Sequence, residues 1–328
     1  MKLFPRKISV GALGLVLLGA MSLSACGGSG SGDEAGGTIR LVVSEGNSLP
    51  FIAAEAGAKL GVWKDKGIKV EIIDASSATV GPTMASGQAD ISLQAGNRAA
   101  ADIIAGLDAR LSAACVLSWD QYVVASTSSL AQKTEDLKGK KIGISGFGSA
   151  GHFATLKVAE SLGWKTSDYK VVQMGSLQSL VAGLKTKTID AFIWSIEPVL
   201  SAEQDGYGKN LGSVADLVGP NAFEAFSVTD KIAKSHPADV KAFFEGYYEA
   251  VAELQKDPQK AIDIVVNDWK GDPKVAAETV PLLLPILSKD GDIPAANLQG
   301  LADAIKLTVP NSGDVDVTKF YRNWQDIG

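Results

Sequence analysis

Six short stretches gather the side chains of this sequence that could do chemistry: 44–48, 74–79, 94–97, 146–151, 175–176 and 195–197. They are rich in Ser, Thr, Asn, Gln and Gly, which exchange hydrogen bonds with a ligand rather than attack it. Asn47, Ser48, Ser76, Ser77, Thr79, Gln94, Asn97, Ser149 and Ser176 are the candidates of this kind. Phe51, Trp119, Tyr122, Phe147 and Trp194 stand in or beside these stretches and could cover a flat or apolar part of a ligand. The chemistry indicated is reversible capture of a small molecule. Catalytic sets are missing. The two histidines, His152 and His236, are far apart, and no zinc-ligand spacing, Gly-x-Ser-x-Gly elbow, phosphate loop or dinucleotide fingerprint occurs. The expectation is of a protein that is not an enzyme, takes no cofactor and holds no metal.

The elements that must position these stretches come in two copies. Residues 83–97 (TMASGQADISLQAGN) answer the end of 181–198 (VAGLKTKTIDAFIWSIEP). Each reads as a helix end, a tight turn, an acidic residue (Asp90, Asp190) and a short apolar strand running into a polar loop. Upstream, 60–73 answers 162–174. Residues 40–61 answer 142–163, with Phe51 matching Phe153 and Leu60-Gly61 matching Leu162-Gly163. Three blocks in one order, at nearly constant offset, make an internal repeat of strand–loop–helix–strand–helix–strand. Ligands of open α/β sheets sit outside the carboxyl ends of the strands, and two such units facing one another make a cleft. Several of the six stretches lead straight into helix starts, where N–H groups and hydroxyls hold anions or carbonyl oxygens, each end worth about 0.3–1 kcal/mol. Asp90 and Asp190 fall at the far ends of their strands and read as turn residues.

In chain order the pattern predicts strands over 38–44, 68–73, 91–93 and 110–117, with helices over 51–62, 80–86 and up to 105. Residues 121–126 read as extended and lead out of the first unit. Lysines around 137–141 mark a solvated turn. The second unit repeats strands at 141–145, 169–173 and 191–194 and helices at 152–162, 176–185 and 196–205. A return strand follows at 222–229. From Pro237 the pattern is helical, over 238–255, 258–268, 273–287, 295–308 and 317–325, punctuated by prolines at helix starts. The fold class expected is α/β with two lobes, each a mostly parallel sheet flanked by helices. Lobe 1 is 38–118 plus 222–328 and carries the C-terminal helices. Lobe 2 is 123–220. Two crossings, near 118–123 and 220–228, make a hinge.

The bulk numbers fit this. The chain has 328 residues, 46% hydrophobic and 21% charged, enough for a real core. Its net charge of −6 is spread without runs, which excludes the basic stripe of a nucleic-acid binder. Residues 1–25 combine a basic start, an apolar run too short for a permanent span and small residues, the pattern of an export signal. Residues 26–37 are a Gly/Ser tether. The LSAC ending at Cys26 resembles the lipobox of bacterial lipoproteins, which implies cleavage before Cys26 and a lipid on its sulfur; an ordinary signal peptide with an incidental cysteine is the alternative. Cys115, the other cysteine, lies in an apolar strand and reads as a buried core residue.

The blocks GVWKDKGIKVEII…MASGQADISL, LKGKKIGISGFGSAGHFATLKVAESLGW and LKTKTIDAFIWSIEP together resemble the substrate-binding proteins of ABC importers for nitrate, sulfonates and taurine, a family that includes thiamine-pyrimidine binders. The likeness covers roughly 38–230. It implies a two-lobed periplasmic-binding-protein-like fold of type II, hinge closure and delivery of solute to a membrane permease. The sulfonate branch of that family tends to have adjacent serines after the lobe-two strand. Here the loop is Gly148-Ser149-Ala150-Gly151, which counts against a sulfonate.

Each candidate also has a plainer reading. Ser149 could cap its helix as well as bind ligand. His152, without a carboxylate or nucleophile beside it, reads as packed rather than catalytic. Arg98 begins a helix and could pair with an anion or face water. Glu197 reads as a helix N-terminal charge or a permease contact before a ligand group. The expectation is a monomeric, lipid-anchored, extracytoplasmic solute-binding protein on the cell membrane. Its ligand is a sulfonate, a carboxylate, a nitrate-like anion or a flat heterocycle. A secreted enzyme on the same scaffold and a ligand-sensing surface lipoprotein are the alternatives.

Overall fold

The structure is a computed structural model; it describes residues 36–219, 221–308 and 313–328. The leader, Cys26 and most of the tether lie outside the described residues. Among the described residues, ten strands form two five-stranded sheets. In the first, β1 (Thr38–Ser44), β2 (Lys69–Ala75), β3 (Ile91–Ala95), β4 (Ala109–Val116) and β10 (Glu224–Thr229) stand in the order β2-β1-β3-β10-β4. In the second, β5 (Gln121–Ser126), β6 (Lys141–Ile144), β7 (Lys170–Gln173), β8 (Ala191–Ser195) and β9 (Gly208–Ser213) stand in the order β7-β6-β8-β5-β9. The two orders are the same. Each sheet has three neighbouring parallel strands and one strand, β10 or β5, that runs antiparallel to both of its neighbours.

The duplication is visible in hydrogen bonds. Asp90 accepts from the Arg40 backbone N–H (3.0 Å), and Asp190 accepts from that of Lys141 (2.8 Å). The backbone N–H groups of the same two aspartates donate back to the Arg40 and Lys141 carbonyls. Each pair pins the start of the repeat's first strand to the start of its third, at the far end from the strands' carboxyl ends. Arg40 adds a two-pronged guanidinium contact to Asp90.

Helices α1 (Ile52–Leu60), α2 (Val62–Asp65), α3 (Val80–Ala85) and α4 (Gly96–Ile104) belong to the first half. Helices α5 (Ala150–Ser161), α6 (Leu177–Lys185) and α7 (Ile196–Gln204) belong to the second. Gly61 and Gly163, matched in the repeat, end α1 and the α5 segment with φ of 76° and 65°, a conformation that a side chain resists. After β10 come α8 (Asp230–Ser235), α9 (Pro237–Lys256), α10 (Pro258–Asp263), α11 (Pro273–Leu283) and α12 (Ala295–Thr308). Helix α9 lies on one face of the first sheet. Its Phe243, Phe244 and Tyr247 meet Phe226 of β10 edge-to-face, and Phe243 stacks on Trp63. Burying each such ring contributes about 2 kcal/mol. Helices α4 and α12 cover the other face. Cys115 sits wholly inside, its thiol between the Pro50 carbonyl and the Tyr247 hydroxyl, and burial pushes its pKa up.

The elements differ from the sequence pattern in a few places. The helix expected over 51–62 is a 3-10 turn (Leu49–Phe51) followed by α1, because Pro50 sets the first turn. Strand β9 and helix α8 were not expected; the Gly- and Asn-containing sequence of β9 hides an edge strand. The helix expected over 273–287 ends at Leu283, since Pro285 cannot supply the next N–H. No helix covers 317–325. Asp316 and Asn323 each cap a single 3-10 turn instead, and Tyr321 between them bridges to β4. Among the described residues, no helix is long and apolar enough to cross a membrane.

Candidate ligand-binding cleft

The carboxyl ends of both parallel strand sets line two adjoining cavities. The narrow one lies between Ser44, Glu45, Ser48, Phe51 and Gln94 of the first half and Ser145, Ser149, Gly151 and Trp194 of the second. The wider one, about 620 Å³, is lined by Asn47, Asp74, Ser76, Ser176, Glu197 and Tyr207 among others. That volume suits a small organic molecule. Glu45, Ser48, Trp194 and Ser195 line both cavities. They are therefore parts of one cleft.

Local sequence explains the placements. Strand β8 ends at Ser195 and passes directly into α7, so Trp194, Ser195 and Glu197 crowd one turn. Ser149 caps α5 through the His152 N–H, and Ser176 caps α6 through the Ser179 N–H, each at 3.2 Å. Both helix starts face the cleft. Ser77, in the turn after β2, completes the narrow cavity.

Five sequence candidates lie elsewhere. Thr79 bonds the Ser76 carbonyl and hydroxyl and closes the turn before α3. Asn97 donates to the Gly148 carbonyl at 3.3 Å, a bridge from α4 to the loop before α5. Trp119 is 4% exposed, donates to the Gly219 carbonyl at 2.7 Å and is packed by Phe153 and Phe223. Its face and its donor are both occupied, so it holds the crossings together instead of offering itself to the cleft. Tyr122 lines neither cavity; it lines a neighbouring crevice with Leu49, Ile196 and Leu283, which meets the cleft at Ser195. Phe147 is 64% exposed, edge-on to His152. His152 accepts from the Gly148 N–H through Nδ1, and burial lowers its pKa, so the neutral ring braces this loop.

Three acids, Glu224, Glu45 and Asp120, are not among the sequence candidates. Glu224 opens β10, is 4% exposed and lines the narrow cavity; burial first, then Asp120 and Glu45, hold its carboxyl well above the ordinary range. Glu45 takes a left-handed backbone (φ 58°) at the end of β1, and burial pushes its carboxyl up to about 7 with no partner to offset it. Asp120, buried beside the crossing, is pushed up to about 6 by burial, partly offset by the Gln121 amide. The signal that could have found Glu224 and Gln121 is direction. An antiparallel strand brings its first residue, not its last, to the carboxyl ends of its neighbours, and Glu224 pairs with Ala95 as Gln121 pairs with Ser195. Arg98, the cation in the narrow cavity's lining, is already paired with Asp102 at 3.0 Å.

Comparison with known proteins bears on this cleft. The family described as NMT1/THI5 like matches residues 46–261. Among curated proteins, none matches. Solved structures match in fold. A protein from Bordetella bronchiseptica RB50 is 21% identical, with a TM-score of 0.74 over 87% of this chain and 94% of that one. The alkanesulfonate-binding protein of Xanthomonas axonopodis pv. citri, bound to MOPS, is 15% identical, with a TM-score of 0.75 over 87% and 98%. The periplasmic nitrate-binding protein of Synechocystis PCC 6803 is 14% identical, with a TM-score of 0.68 over 88% and 86%. The fold is that of periplasmic binding proteins.

Proposed function

The chain belongs to the NMT1/THI5-like family, and from that premise we propose that it is the extracytoplasmic solute-binding component of an ABC importer. It captures a small organic ligand between the lobes 38–118 plus 222–328 and 123–220. Rotation about the crossings near 118–123 and 220–228 closes the cleft, and the closed form hands the solute to a membrane permease. Cys26 carries a lipid that keeps the monomer on the outer face of the membrane, and the tether gives it reach.

The observation that carries this reading is the shared lining: Glu45 and Ser48 from one half of the repeat and Trp194 and Ser195 from the other wall the same two cavities. Only a ligand held by both halves makes use of that arrangement. Micromolar affinity needs about −8 kcal/mol, within reach of one stacked indole and several hydrogen bonds. The test is a thermal-shift panel of nitrate, sulfonates, aromatic acids, amines and pyrimidines on the mature protein. At least one class raises Tm, and Trp194→Ala removes the rise. A wild-type protein that no small solute stabilises contradicts the reading.

A further inference from the structure

We propose that the solute carries a cationic nitrogen, an ammonium or amidinium, seated between Glu224, Gln94 and Glu45. This inference rests on the binding-protein reading and specifies its ligand class.

Three features of the narrow cavity carry it. Glu224 Oε2 is buried and accepts no hydrogen bond among the described residues, although the residue lines the cavity. Gln94, 1% exposed, lines the same cavity and is in the same state at Oε1. Its orientation is set by chemistry. The Gln94 Nε2 donates to the Asp102 carboxylate at 3.2 Å, and a carboxylate can only accept, so Oε1 is the end left over. Two buried acceptors without donors cost the fold free energy, and such groups persist where a ligand supplies what is missing. What is missing at Glu224 and Gln94 is a donor such as N–H.

Charge points the same way. Glu45 lines both cavities, and Asp120 and Glu45 are close enough to Glu224 to raise its pKa. The cation in this lining, Arg98, is held by Asp102 through the end of its guanidinium, with its buried Nε left without an acceptor. An anion entering this end would keep these carboxyls protonated, whereas a cation would favour their ionised form and pair with it. Among the described residues, no group of three or more His, Cys, Asp or Glu is arranged to hold a metal ion. The lining therefore suits an organic cation, with Phe51 and Trp194 there to pack its apolar part or face the charge.

The test uses the low-molecular-mass fraction of yeast extract, divided on strong ion exchangers into cation-retained, anion-retained and unretained pools. Each pool is added to the full mature protein and Tm is read. The cation-retained pool is expected to stabilise. Benzamidinium is then expected to bind more tightly than its near-isosteres benzamide and benzoate. Glu224→Gln is expected to fold with a Tm no lower than wild type and to bind benzamidinium at least about tenfold more weakly. Glu45→Gln, in the turn after β1, provides the same readout if Glu224→Gln does not fold. Stabilisation only by the anion-retained or unretained pool, or benzoate binding as tightly as benzamidinium, overturns the proposal and leaves the binding-protein reading standing. Stabilisation by no pool overturns both.

Discussion

Trp194 stands where the two cavities meet, half-buried, and that position makes it the first residue to change. Trp194→Ala should weaken ligand at least about tenfold, as loss of a central aromatic anchor does, with little change in the unliganded Tm. The acids predict the opposite pairing of effects. Glu45 has a carboxyl raised from the ordinary 4.5 to about 7 in the folded protein. A raised carboxyl favours the folded state fully below its unfolded pKa, and that contribution is lost as pH rises through about 7. Stability of the unliganded protein should therefore fall between those pH values, and Glu45→Gln should flatten that part of a Tm–pH profile. Glu224→Gln should raise Tm above neutral pH for the same reason, while binding suffers. A site that gains stability when its acids are removed is one that trades stability for ligand.

The helix starts that face the cleft depend on close approach. At Gly151, in the first turn of α5, an added Cβ would lie 2.9 Å from the Ile193 carbonyl of β8. Gly151→Ala must push α5 off the strand, at a cost of about 1–3 kcal/mol. Because Ser149 and Trp194 lie on these two elements, chemical denaturation should show lower stability and calorimetry should show weaker binding together. At this scale the sequence was largely readable. The repeat is carried by residues with one physical job each: Asp90 and Asp190 pin strands, Gly61 and Gly163 turn the chain, and Ser149 and Ser176 cap helices. Those jobs need fixed residue types at fixed spacing, so they show in a single sequence. What stayed hidden depends on contacts distant in sequence. Glu224 reads as a residue inside the apolar strand expected over 222–229 until β3 and β4 are known to flank it. Trp119 reads as a cleft aromatic until Gly219 and Phe223 are seen to occupy it. The two 3-10 turns near the C-terminus follow from Tyr321 meeting the edge of β4, which no periodicity foretells.

For the molecule as a whole, the chain passes between the sheets twice, and Trp119 on the first passage bonds Gly219 on the second. Trp119→Ala should cost about 3–5 kcal/mol and loosen the relative motion of the halves, seen as a broader distribution of dimensions in small-angle scattering. The Asn97 to Gly148 bond is a second polar bridge between the halves, outside the cleft lining. The account turns on one claim: a single small ligand is gripped at once by both sheets. Hydrogen–deuterium exchange of the full chain, with and without the stabilising pool, addresses it most directly. The account predicts slowed exchange in 44–51 and 94–98 together with 145–153 and 193–198, from one binding event. Slowing confined to one sheet's segments, or appearing only on surfaces away from Trp194, would contradict it.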